Sequence, residues 1–297
     1  MTGADIQRDS HDYHHLEEAQ KDLVRGGEDQ HKAPPQLLPF KITHQHTREC
    51  MSEFLSTFIY CAFGLGVIAQ VTLSKAQAGA YVSVTLAWGV AVMMAMHVGG
   101  GVSHSHINPA ITIGLAVFGA FPWKKVPGYV ISQVLGAFFG SLMIYTMFYQ
   151  IIHAADPQKV ATATIFHTHP NAAVNNSAAF ITEMFATMTL LICLLALVDE
   201  KNRPTVVSSF PSCVGVLVVG IGMSFSLISS AALNPARDLG PRIMLSMVGY
   251  DGVFSSNNHY FWIPIVAPIV GSVLGIFIYV AFIMAHHPAV VNNKGFF

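Results

Sequence analysis

Six predominantly apolar stretches recur along the chain, at about 51–71, 81–100, 126–149, 178–198, 206–230 and 260–284. Each is near the ~20 residues a helix needs to cross a ~30 Å hydrocarbon core. Two shorter apolar runs, about 109–119 and 235–247, each follow an Asn-Pro pair. Eleven helical residues rise only ~16 Å, half a bilayer. Such runs are too short to span and too apolar for ordinary loops, so the pattern predicts re-entrant half-helices.

The pattern occurs twice. "SEFLSTFIY" at 52–60 resembles "TEMFATMTL" at 182–190, and "INPAITIG" at 107–114 resembles "LNPARDLG" at 233–240. Glu53 precedes Asn108 by 55 residues, and Glu183 precedes Asn234 by 51. Each half therefore holds three spans, with a half-helix between the second and third. Three is odd, so the second half inserts upside down, as an inverted-topology repeat whose half-helices meet near the midplane. The predicted fold is an all-α membrane protein with six transmembrane helices and two re-entrant half-helices. The membrane domain is expected over 49–285, with a first repeat at about 49–150, a connection at 150–177 and a second repeat at about 178–285.

Composition supports this reading. Charged residues are only 10% of the chain and mean hydropathy is +0.51, whereas soluble domains carry about 25% charged residues. A net charge of −1 gives no reason to expect a nucleic-acid partner. Residues 1–48 are polar, carry both charge signs and lack the apolar core of a cleavable signal, and they read as a disordered tail. His11, His14, His15, His31, His44 and His46 lie there, where a solvated tail explains them better than a metal site. Cys50, Cys61, Cys193 and Cys213 show no metal-ligand spacing, so no metal or other cofactor is expected. With six spans, the tail, the turns at Lys124-Lys125 and Lys201–Arg203 and the 286–297 tail share one side. That side holds eleven of the fifteen Lys and Arg residues, which puts both termini in the cytoplasm. The connection then faces outward, and its Asn175-Asn176-Ser177 is a glycosylation sequon.

The Asn-Pro pairs have a local logic. Proline suits the first helical position, and asparagine before it is a good N-cap. Asn108-Pro109-Ala110 and Asn234-Pro235-Ala236 thus read as helix starts. Each asparagine oxygen caps, leaving the amide NH2 to donate outward. Two helix N-termini facing each other make a positive potential that suits a neutral solute's oxygen and repels cations. The irregular segments 104–107 and 230–233 are expected to present carbonyls as a ladder of acceptors. Glu53 and Glu183, symmetrically placed inside the first and fourth spans, are expected to brace them as buried carboxylates.

Over about 50–285 the chain resembles the major intrinsic protein, or aquaporin, family. The resemblance is nearer to the glycerol-conducting branch, through Asp238 after the motif arginine, Arg242 four residues on, and Pro264-Ile265 in the last span. It implies a non-enzymatic channel for glycerol, water and other small neutral solutes such as urea, one pore per subunit, a homotetramer in the lipid bilayer and a plasma-membrane location. It also places the selectivity filter on Trp88, Gly222, Ala231 and Arg237. Arg237 would offer donors to hydroxyl oxygens and Trp88 a flat apolar wall to carbons. The family's bacterial-type glycerol facilitators have a phenylalanine where this chain has Ala231, so the constriction is expected to be wider unless another side chain fills the corner.

His106 matches a family position near the inner vestibule, and His104 is an extra histidine. The pair is a candidate pH sensor, since histidine titrates between about pH 5 and 8. A water-selective channel and an ion-coupled secondary transporter are the alternatives. A transporter needs an ionisable coupling site, and outside Glu53, Glu183 and Arg237 the spans hold almost no charge.

Overall fold

The computed structural model describes residues 41–288. Residues 1–40 of the expected tail, with His11, His14, His15 and His31, lie outside the described residues, as do 289–297. The long helices are α1 (Gln45–Leu73), α2 (Tyr81–Ser103), α4 (Val126–Ala155), α5 (Asn176–Val198), α6 (Phe210–Ser229) and α8 (Ile263–Phe282); α3 (Pro109–Val117) and α7 (Pro235–Met247) are half as long. Six helical segments are long and apolar enough to cross a membrane. Among the described residues there is no strand.

Two boundaries differ from expectation. The first helix begins at Gln45, so 45–48 are helical and not part of a tail. His44 caps it by accepting from the Thr47 amide at 3.3 Å, and Gln45 bonds Glu49 one turn on at 2.9 Å. The third span continues to Ala155, because Ile152 is buried against the core. The connection between the halves is correspondingly shorter, 156–175.

The packing repeats with the sequence. A side chain at Gly136 or Gly140 of α4 would collide with the α1 backbone at Phe54 and Phe58. A side chain at Gly271 or Gly275 of α8 would collide with the α5 carbonyls of Met184 and Met188. Phe54 and Met184 each follow the repeat's glutamate, so both halves pair their first and third spans through small residues one turn apart. Close backbone approach of this kind substitutes for hydrophobic drive in lipid. Gly89 and Gly215, each nineteen residues before its asparagine, meet one another where α2 crosses α6. Each half-helix leans on the other half: Gly114 of α3 faces Ser272 of α8, and Gly240 of α7 faces Ala137 of α4. Outward faces carry exposed Phe63, Leu86, Phe139, Ile181 and Phe277, as a lipid-facing surface requires.

Candidate functional site

The two half-helices meet through their caps. Asn108 Oδ1 accepts from the Ala110 amide at 2.8 Å, and Asn234 Oδ1 accepts from Ala236 at 3.0 Å and Arg237 at 3.4 Å. Pro109 and Pro235 occupy the first helical positions. Each asparagine amide also crosses the junction. Asn108 Nδ2 donates to the Leu233 carbonyl at 2.9 Å, and Asn234 Nδ2 donates to the Ile107 carbonyl at 2.7 Å. One N–H of each NH2 is therefore committed to the scaffold, leaving the second for a solute. The Ile107 and Leu233 carbonyls of the expected ladder each accept one of these bonds, which leaves each a second lone pair.

Both glutamates are fully buried beneath the loops. Glu53 accepts from the His106 and Ile107 amides at 2.9 and 2.8 Å, from Ser103 Oγ at 2.7 Å and from Gln133 Nε2 at 2.7 Å. Glu183 accepts from Ala232 and Leu233 at 2.8 and 3.0 Å and from Ser229 Oγ at 2.7 Å. These bonds satisfy amides that the irregular backbone would otherwise leave unpaired in a dry interior. Tyr129 and Tyr260 complete the braces by donating to the Ser103 and Ser229 carbonyls at 3.2 and 3.0 Å. Sequence reasoning missed Ser103, Ser229, Gln133 and both tyrosines. Ser103 and Ser229 were detectable, since both stand five residues before the motif asparagine.

His104 ends α2 in a left-handed conformation, φ 65°, as Ser230 ends α6 at φ 67°. Histidine is among the residues enriched there, which accounts locally for the extra histidine. Its side chain is exposed, whereas His106 is buried, bonded through Nδ1 to Thr112 Oγ1 at 3.1 Å and packed against Phe121 and Tyr129.

Trp88, Gly222, Ala231 and Arg237, distant in sequence, line one cavity of about 410 Å³ that reaches Leu233 at the junction. Arg237 lies over the Trp88 ring, its guanidinium carbon 4.7 Å from the ring centroid. Tyr60 meets Trp88 edge-on at 4.9 Å, and Gly64, one turn along α1, leaves the space that the indole fills. Gly222 adds no side chain, and its carbonyl accepts from Tyr81 at 2.7 Å. The cavity thus has an apolar ring and a cationic fork side by side in its lining.

The connection forms the cavity's outer rim, which the sequence did not indicate. Arg237 Nη1 donates to the Phe166 carbonyl at 2.9 Å, fixing the guanidinium. Asp238 is fully buried and accepts from the Thr168 amide at 2.7 Å and hydroxyl at 2.5 Å, and it pairs with Arg242. Arg242 in turn donates to the Thr168 and Val253 carbonyls at 2.8 and 2.6 Å. Asp238 and Arg242 therefore tie the connection to α7. His167 and His169 reach the cavity from this segment. Burial, with the nearby Arg242 cation, pushes His167 down to about 4. Burial also lowers His169, with Arg237 and Arg242 acting in the same direction. Asn175 is exposed and caps α5 by accepting from the Ala178 amide at 2.9 Å.

Two capped half-helices meeting inside six apolar helices, beside a cavity with one cation, define a membrane channel of inverted-repeat design. The chain matches the major intrinsic protein family over residues 41–279 and belongs to that family. It is an integral, multi-pass membrane protein. It is 40% identical over 248 residues to human aquaporin-9, covering 81% of this chain and 84% of that one. It is 41% identical over 239 residues to aquaglyceroporin-2 of Rhizophagus irregularis, covering 78% and 76% of the two chains. The crystal structure of the Plasmodium falciparum aquaglyceroporin superposes with a TM-score of 0.75 at 33% identity, over 81% of this chain and 98% of that one.

Proposed function

We propose that the chain is an aquaglyceroporin, a passive channel for glycerol, water and other small neutral solutes, urea among them, that excludes protons and ions. The observation that carries this reading is the single cavity shared by Trp88, Gly222 and Arg237. A polyol is amphipathic along its length. Its hydroxyl oxygens accept from Arg237, while its CH groups slide along the indole. Gly222 leaves width for the carbon chain. The remaining N–H groups of Asn108 and Asn234 then receive the oxygens at the junction. Facing helix N-termini and the Arg237 charge raise the energy of any cation there.

Orientation and assembly extend the proposal. The excess of Lys and Arg at 124–125 and 201–203 favours a cytoplasmic position for those turns and for both termini. The unit is assigned to the plasma membrane as a homotetramer, and Asn175 to the outer face as a glycosylation site. His104 and His106 are assigned to the inner mouth as a pH-responsive pair. Glycerol flux that stays flat from about pH 5.5 to 8, or a pH response unchanged in His104→Ala and His106→Ala, would remove that assignment.

Swelling of proteoliposomes in a glycerol gradient tests the main reading. Glycerol entry above that of empty vesicles, non-saturable and independent of any ion gradient, is expected. Water flux without glycerol flux identifies a water-selective channel instead, and saturable, ion-dependent entry identifies a transporter.

A further inference from the structure

Ala231 leaves one corner of the cavity without a large side chain, and the connection supplies a neighbour. The segment 166–171 runs beside the end of α6. Asn171 N donates to the Ile228 carbonyl at 2.9 Å. Ser230 Oγ donates to the His169 carbonyl at 2.7 Å and accepts from the His169 amide at 3.5 Å. These bonds clasp His169 to the residue immediately before Ala231. Both His169 and Ala231 line the cavity that holds Trp88, Gly222 and Arg237.

The His169 ring is not used by the fold. Its Nδ1 is enclosed without a hydrogen-bond partner, and among the described residues neither ring nitrogen is bonded. His167 is different: its Nδ1 bonds the Thr168 carbonyl at 2.9 Å, so its ring is held by the loop itself. A part-buried ring whose Nδ1 satisfies nothing in the protein is costly to keep, unless the part that faces the cavity meets a ligand.

The geometry points to His169 as a specificity-determining residue, whose imidazole occupies the filter corner vacated by Ala231 and sets the largest polyol admitted. This inference rests on the cavity being the polyol path. Burial disfavours the charged form of the ring, lowering its pKa from the ordinary histidine value. A polyol therefore meets one fixed cation, Arg237, and the imidazole of His169 in the lining of one cavity. A loop residue thus takes the place of the aromatic residue that would otherwise come from position 231.

The test uses full-length protein in proteoliposomes and compares glycerol with a five-carbon polyol. His169→Ala should raise the five-carbon to glycerol permeability ratio by about tenfold, the scale of a one-methylene discrimination. His169→Phe, which keeps a ring in the corner, should hold the wild-type ratio. Ala231→Phe added to His169→Ala should restore it. An unchanged ratio in His169→Ala overturns the inference. So does an equal loss of both fluxes, which marks a merely structural loop residue, and so does failure of Ala231→Phe to restore the ratio. Absence of glycerol flux in the wild type would instead refute the aquaglyceroporin reading, and the unmutated protein alone reveals it.

Discussion

The segments 103–108 and 229–234 follow one backbone path. φ is 65° at His104 and 67° at Ser230, 47° at Ser105 and 44° at Ala231, 47° at Ile107 and 56° at Leu233. Each segment hangs from a buried glutamate, each ends in a capping asparagine, and each asparagine bonds the other segment's carbonyl. The residues that follow diverge. Three after the asparagine stand Ile111 in one half and Arg237 in the other; four after stand Thr112 and Asp238. Among the described residues Thr112 bonds only within its own half, to His106, Gln133 and the Asn108 carbonyl, while Asp238 and Arg237 engage the connection. A duplicated scaffold thus holds the junction symmetrically, and the buried charges of Arg237, Asp238 and Arg242 stand in one copy alone.

The glutamates test the symmetry most severely. Glu53→Ala and Glu183→Ala each orphan two buried backbone amides, at about 1–3 kcal/mol apiece. Both variants should lose about 2–6 kcal/mol and fail to purify as monodisperse protein, whichever half is altered. Survival of one variant with normal thermal stability would show that the two braces are unequal.

The next pair should break the symmetry. Asp238→Asn leaves the buried Arg242 without its counter-charge, a change worth about 3–5 kcal/mol, whereas Thr112→Val removes neutral hydrogen bonds worth about 1 kcal/mol each. Thermal unfolding should rank Asp238→Asn well below Thr112→Val, and hydrogen exchange should rise over 160–170 in the former alone. Equal losses would mean that the connection is not anchored through Asp238.

A smaller effect separates the filter arginine from its counterpart. Arg237→Ala should change the glycerol-to-water permeability ratio by about tenfold and admit cations, whereas Ile111→Ala should leave the ratio near wild type. Ion leak is read with a pH-sensitive dye trapped in the vesicles.

The smallest effect lies in the connection, whose Phe166 and Thr168 backbone is held by Arg237 and Asp238 of the second half. His167 is held at about 4, below the ordinary histidine value of 6.5. An unfolded segment therefore binds more protons between these values, so the connection is fully stable above about pH 6.5 and loses stability as pH falls towards 4. Limited proteolysis within 156–175 should accelerate over that window. A rate independent of pH would show that His167 is not buried in solution.

Much of this was legible in the sequence. Apolar runs and Asn-Pro pairs marked the long helices and both half-helices, because crossing a bilayer imposes length and a proline at N1 imposes a start. The equal standing of Glu53 and Glu183 revealed the braces, because a carboxylate is costly in a membrane without partners. The rest follows from contacts with no local signature. Phe166 acts through its carbonyl, which any residue carries. Thr168 and His169 meet α6 and α7 across more than sixty residues of chain. A loop that folds back over a pore leaves no periodicity, so neither its bond to Arg237 nor its place at the Ala231 corner was foreseeable. The helix overrun to Ala155 has the same origin, since a buried Ile152 on a polar-flanked stretch extends α4 through tertiary packing.

In the function we propose, the second half-loop selects for polyols on a scaffold that both halves share. Stopped-flow measurement of glycerol and water permeability in proteoliposomes of wild type, Arg237→Ala and Ile111→Ala tests it most directly. Glycerol flux well above empty vesicles is expected in the wild type, with a shifted glycerol-to-water ratio in Arg237→Ala and an unshifted ratio in Ile111→Ala. A wild type that passes water but no glycerol, or two variants that shift the ratio alike, would contradict it.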